Sequence, residues 1–136
     1  MATFNSEKVD IARSNAYVFE FLSDFRNFEK LMPEQVTGWT TDGDSCSFTI
    51  QNLATLGMRY NNRTPNNHIG IVSEGKVPFD YDLQCLINET EPGACSVVIQ
   101  FNADINPMLM MMVSKPLGNL VNILSQKLKE ICEQQA

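Results

Sequence analysis

Apolar residues recur at two different periods along this chain, and the change of period is abrupt. From Asn106 onward the steps are three and four: Leu109, Val113, Leu117, Leu120, Leu124, Leu128 and Ile131 fall on one face. That spacing predicts a single long amphipathic helix to about Glu133. Asn106 is a favoured N-cap, and Pro107 suits the first turn, where a missing N–H costs nothing. Most of the preceding chain steps by two instead. Residues 79–89 place Phe79, Tyr81, Leu83, Cys85 and Ile87 on one face, and residues 94–104 do the same with Cys95, Val97, Ile99, Phe101 and Ala103. Two strands are predicted. A two-residue Pro92-Gly93 turn would set Cys85 against Gln100, apolar against polar. A one-residue slip corrects this, so an odd loop with Gly93 at a bulge is expected.

Upstream, Val36–Thr41 and Asp44–Gln51 flank Asp42-Gly43, a strong hairpin signal. A two-residue turn there pairs Thr41 with Asp44 and Trp39 with Cys46, and puts Trp39 on the face of Cys46, Phe48 and Ile50. Met58–Thr64 and Asn67–Glu74 read as the next two strands, with Met58 and Tyr60, then Ile69 and Ile71, in the apolar phase. Residues 3–11 read as a first strand of poor alternation: Phe4 is in one phase, Val9 and Ile11 in the other. A bulge or a polar patch explains that equally well. Between them Ser14 caps a helix carrying Val18, Phe21, Leu22, Phe25 and Phe28. Ser23-Asp24 divides it into two short helices, and Pro33 ends the second. The order is one strand, two short helices, six strands and one long helix, with an antiparallel sheet whose apolar side the long helix must cover.

Several local stretches fit this order: Val18-Phe19 through Leu22-Ser23-Asp24-Phe25-Arg26-Asn27, then Asp44-Ser45-Cys46-Ser47-Phe48, then Asn106-Pro107 and Met112-Val113-Ser114-Lys115-Pro116-Leu117. The chain resembles small single-domain bacterial members of the START-like superfamily, also called SRPBCC or birch-pollen-allergen-like, over essentially all of residues 1–136. The resemblance implies an α+β helix-grip fold: a curved antiparallel sheet of about seven strands wrapped on a long C-terminal helix, with two short helices after strand one. It also implies a cavity between sheet and helix that accepts lipids, sterols, polyketides or other apolar molecules. Some such proteins are cyclases or hydrolases, and many only bind and carry. No catalytic residue of the superfamily maps onto a position here.

Composition narrows the classes. At 136 residues the chain is long enough to bury a core without a metal or disulfide. Sixteen acidic against ten basic residues give a net charge of −6 without a basic cluster, which argues against nucleic acid as a partner. No charged-then-apolar leader opens the sequence, and no apolar run approaches bilayer length, so a cytoplasmic protein with reduced thiols is expected.

The candidate chemistry is sparse. His68 is the only histidine and lies out of phase with Ile69 and Ile71, facing solvent. A two-histidine metal site or proton relay is thereby excluded. Cys46, Cys85, Cys95 and Cys132 lack metal-ligand spacing, and the first three occupy inward phases. They read as small buried apolar residues. Asp42 with Asp44, and Asp80 with Asp82, read as solvated; Arg59 and Arg63 are outward-phase. Glu7, in phase with Val9 and Ile11, is the one acid to check for burial. Neither a cofactor nor a metal is expected.

What remains is a pocket. Trp39, Phe48, Tyr60, Tyr81 and Phe101 share inward phases, as core or as the lining of a cavity with two phenols to orient a ligand atom. Asn62, in phase with Tyr60, points the same way. Met108, Met110, Met111 and Met112 open the long helix, as a deformable wall at the cavity mouth or as ordinary packing. Met108 and Met112 complete the expected lining. Lys115-Pro116 and Gly118 interrupt the helix, and the proline removes one hydrogen bond and favours a kink there. The expected function is non-enzymatic binding of a small apolar or amphipathic molecule. A cyclase or hydrolase, and a protein-interaction module or homodimer using the Met-rich segment, are the alternatives.

Overall fold

The computed structural model describes residues 2–34, 36–42, 44–50, 54–75, 77 and 79–134. Gly43 of the expected hairpin turn, Gln51 at the end of the strand after it, and the side chain of Val113 lie outside the described residues.

The long helix is the clearest agreement with the sequence. α3 spans Pro107–Gln134 and runs unbroken through Pro116. Asn106 caps it, its Oδ1 accepting the Leu109 N–H at 2.8 Å. Leu117, Leu120, Leu124 and Leu128 are buried, joined by Val121 and Cys132. The two short helices also form as expected. α1 is Asn15–Leu22, capped by Ser14, which accepts the Tyr17 N–H at 3.1 Å. α2 is Phe25–Phe28, capped by Asp24 through the Arg26 N–H at 2.9 Å. A 3-10 turn, Glu29–Leu31, follows and stops before Pro33.

Among the described residues eight strands make one antiparallel sheet: β1 Ala2–Asn5, β2 Val9–Ile11, β3 Val36–Thr41, β4 Ser45–Ile50, β5 Ala54–Thr64, β6 His68–Ser73, β7 Tyr81–Glu91 and β8 Ala94–Ala103. The order across it is β1-β8-β7-β6-β5-β4-β3, with β2 also pairing β8. The expected first strand is thus two strands on one partner. Asn5 faces Gln100 and Val9 faces Val97, so three residues span the space of two. This is the bulge, and it brings Phe4, Val9 and Ile11 to the same side. Ser6 seals it: its N–H donates to Ile99 O at 2.8 Å and its Oγ accepts the Ile99 N–H at 2.9 Å.

Three further bulges correct the expected registers. Thr41 faces Cys46, not Asp44, because Asp42 Oδ1 accepts the N–H groups of Asp44 (3.0 Å) and Ser45 (2.9 Å) and holds a wider turn. Gly38, at φ 65°, and Trp39 then both stand opposite Phe48, between the Thr37–Thr49 and Thr40–Ser47 pairs. In β5 the register shifts between Tyr60 and Asn62. Between β7 and β8 the Pro92-Gly93 turn does hold two residues, and the odd residue expected in the loop is Thr90 in the strand. The apolar register still results, with Cys85 opposite Ile99.

The core lies between the sheet's inner face and α1, α2 and α3. α3 packs chiefly on β1, β2, β8 and the 3-10 turn. It grips one side of the sheet, and the β3–β4 side is left less closely covered.

Candidate functional site

A groove of about 370 Å3 opens where the helix parts from the β3–β4 side. Pro33, Val36 and Ile50 form one wall, and Pro116, Asn119, Leu120, Asn122 and Ile123 of α3 form the other. The Gly38 bulge makes the first wall. An unbroken register would put Thr37 opposite Ile50; the extra residue gives that place to Val36. Leu120 is the helix's buried contribution, and Ile123 stands half-buried outside the apolar stripe. The volume falls in the range of small-molecule sites, roughly 300–1,000 Å3.

None of the eight residues expected from the sequence to line the cavity is among those lining this groove. Phe48, Tyr81 and Phe101 are buried in ring-on-ring contacts. Phe79, Tyr81, Phe101 and Phe4 form a row with successive centroids 6.1, 5.1 and 6.4 Å apart. The row reaches α3, since a Cβ on Gly118 would meet Phe4 Cδ1 at 4.0 Å. Tyr60 lies stacked on Phe25 at 4.1 Å, with the Arg63 guanidinium over its ring at 4.5 Å. Both phenols are engaged: Tyr60 Oη donates to Leu22 O at 2.6 Å and Tyr81 Oη to Gly57 O at 2.7 Å. Burial pushes both pKa values up, so both stay neutral donors.

Asn62 is exposed, opposite Gly70, with its Nδ2 3.3 Å from His68 Nδ1. The β5 bulge moved it: beyond Tyr60 the phase inverts, so Asn62 turns out and Arg63 takes the face of Ile69. Met108 and Met112 are 79% and 70% exposed, and Met111 85%. With Leu117, Val121 and Leu124 facing the core, these methionines fall on the opposite arc of the helix. Trp39 is half-buried and stacked on Phe48 at 5.2 Å.

Other expectations resolve simply. Glu7 is exposed, and its N–H donates to Asn122 Oδ1 at 2.9 Å. His68 is on the outer face as expected, bonded to Gln84 as well as Asn62. All four cysteines are buried free thiols. The groove residues were hard to read in advance, with one exception. Ile123 is an apolar residue off the helical stripe, a sign of a second apolar contact.

The sheet, the gripping helix and the groove between them can now be set beside known structures. The chain matches no protein-family model and no curated protein. A START superfamily protein from Mycobacterium smegmatis superposes with a TM-score of 0.72, at 15% identity over 98% of this chain and 99% of that one. The fold is the START-like helix-grip fold. The chain is also similar to XoxI from Bacillus cereus, with a TM-score of 0.75 and 13% identity over 96% and 95% of the two chains. Norcoclaurine synthase from Thalictrum flavum, solved with dopamine and hydroxybenzaldehyde, gives 0.70 and 9% over 99% and 88%. Among the described residues no helix is long and apolar enough to cross a membrane.

Proposed function

We propose that this START-like chain binds a small apolar or amphipathic molecule, without converting it, in the groove between α3 and the β3–β4 side of the sheet. The observation that carries this reading is the composition of the groove among the described residues: an apolar floor of Val36, Ile50, Leu120 and Ile123, with the carboxamides of Asn119 and Asn122 as its polar side chains. An apolar hollow with few polar groups is what a carrier needs, since burial of ligand surface supplies affinity and the polar groups orient it. The same fold holds small aromatic molecules in norcoclaurine synthase, which supports small-molecule binding in general. The Trp39–Phe48 stack of the aromatic wall first expected lies next to Ile50 on β4 without lining the groove. A cyclase or hydrolase reading needs an acid in the cavity, and Glu7, the residue singled out for it, faces solvent.

Native mass spectrometry of the purified protein should show one retained or added ligand per chain, and the neutral dye N-phenylnaphthylamine should saturate at one equivalent. Ile123→Asp, at a half-buried position, should keep the fold by circular dichroism and weaken the dye at least about tenfold, because a buried carboxylate must desolvate. Dye uptake that never saturates, or that ignores Ile123→Asp, would sink the groove as the site.

The exposure of Met108, Met111 and Met112 favours a second reading, in which this arc of α3 docks on a second copy of the chain. Sedimentation velocity should then show a dimer that the triple change Met108→Gln, Met111→Gln and Met112→Gln returns to monomer. A monomer at all concentrations removes this reading and leaves the groove untouched.

A further inference from the structure

Charge is missing from the groove. Among the described residues, no acid, lysine, arginine or histidine lines it. Its sheet wall of Pro33, Val36 and Ile50 is wholly apolar, and the polar side chains of its helix wall are Asn119 and Asn122. Resting on the reading of this groove as a ligand site, we infer that the ligand is uncharged along its whole length. An alcohol or ester of an apolar hydrocarbon fits, and the carboxylate or phosphate of the same hydrocarbon does not.

An ion gives up hydration on entering such a slot, and nothing in the lining returns it. The cations nearest along α3 do not supply the missing partner. Lys115 is exposed and stands about 100° around the helix from Pro116. That turn is opposite in sense to the one leading to buried Leu117, so Lys115 faces away from the core. Lys127 lines the adjoining hollow with Asn122 and Ile123, but Glu130 lines it too and offsets the charge. On the sheet side the exposed neighbour of Pro33 is Glu34, which repels an anion at that rim. The net charge of −6 adds to the repulsion. A hydroxyl or an ester meets no such obstacle. Asn122 commits its Oδ1 to the Glu7 N–H at 2.9 Å, which leaves Nδ2 as its donor, and Asn119 stands exposed at the rim. A carboxamide hydrogen-bonds a neutral oxygen without stripping water from a charge.

Displacement of N-phenylnaphthylamine tests this, with decanol, methyl decanoate and decanoate as competitors at neutral pH. Decanol and the ester should each bind about tenfold more tightly than decanoate. Asn119→Arg, at the exposed rim, supplies the absent counter-charge. It should narrow the gap between decanol and decanoate about three- to fivefold, the worth of one exposed ion pair. Reading the ratio of the two affinities cancels any general loss that the substitution causes. Decanoate binding as tightly as decanol overturns the inference. An unchanged ratio in Asn119→Arg does so too, because the discrimination would then have a cause other than the uncharged lining. Failure of all three compounds to displace the dye would instead remove the ligand-site reading on which the inference rests.

Discussion

Gly57→Ala should cost this protein about 3 kcal/mol of stability and lower its melting temperature by roughly 10 °C. A Cβ built at Gly57 stands 2.5 Å from Glu74 O, a contact real structures essentially never show. The obstacle is backbone, so no side-chain rotation relieves it. Shifting it disturbs two bonds at once: the Glu74 N–H donates to Gly57 O at 2.9 Å, and the Tyr81 phenol donates to the same oxygen at 2.7 Å. Overpacking costs about 1–3 kcal/mol and each weakened hydrogen bond about 1 more. Against a total of about 5–15 kcal/mol for a domain, that is a large share. Gly70→Ala is the matched control. Its Cβ would meet Gln84 Oε1 at 3.3 Å and the Asn62 and His68 side chains at 3.6 Å, all of which can give way. Urea unfolding of both variants decides the matter. Equal losses for Gly57→Ala and Gly70→Ala would mean that the β5–β6 junction relaxes easily.

The contrast between those two glycines also shows what the amino-acid pattern can and cannot reveal. The long helix was legible because its information is local: Asn106 caps it, and Leu117, Leu120, Leu124 and Leu128 repeat at its period. The strands were legible for the same reason, and the inward phases of Phe48, Tyr81 and Phe101 came out as expected. The bulges at Ser6–Lys8, Gly38, Asn61 and Thr90 were harder, because each inserts one residue whose place is fixed by the partner strand. The first announced itself through the broken alternation between Phe4 and Val9, and the last through the clash of phases between Cys85 and Gln100, though not its place at Thr90. The Asn61 bulge exchanged the faces of Asn62 and Arg63, and the Gly38 bulge delivered Val36 to the groove. An inward phase also cannot say whether a ring meets another ring or a void. That depends on how far the helix stands from each strand, a distance no period encodes. Hence the expected aromatic wall became packed core over β7 and β8, and the groove opened at Val36 and Ile50.

Alkaline pH should unfold this protein well before its backbone chemistry requires it, with stability falling from about pH 9 upward. Burial is the chief cause of the raised thiol pKa values: Cys46 and Cys85 move from 9.0 to about 12, and Cys132 to about 11. Cys95 moves the same way, and burial also raises the Tyr60 and Tyr81 phenols above their ordinary 10.0. In each case the neutral form is the one that the fold accepts. Below pH 9 both folded and unfolded chains keep these protons, and the contribution to stability is fully present. Above it the unfolded chain ionises first, and the contribution is lost as pH climbs toward the folded values. Cys85 is the decisive group because it is fully enclosed between β6 and β8, opposite Ile69 and Ile99. Three pH units at one such thiol correspond to about 4 kcal/mol, close to the lower end of a domain's whole stability. Cys85→Ala should therefore be less stable at neutral pH, through the lost sulfur packing, yet lose less on going from pH 9 to 12. Urea melts at stepped pH would show the two stability curves converging. Parallel curves would mean that the thiol at position 85 titrates alike in both states, and that the alkaline limb belongs to the other thiols and the phenols.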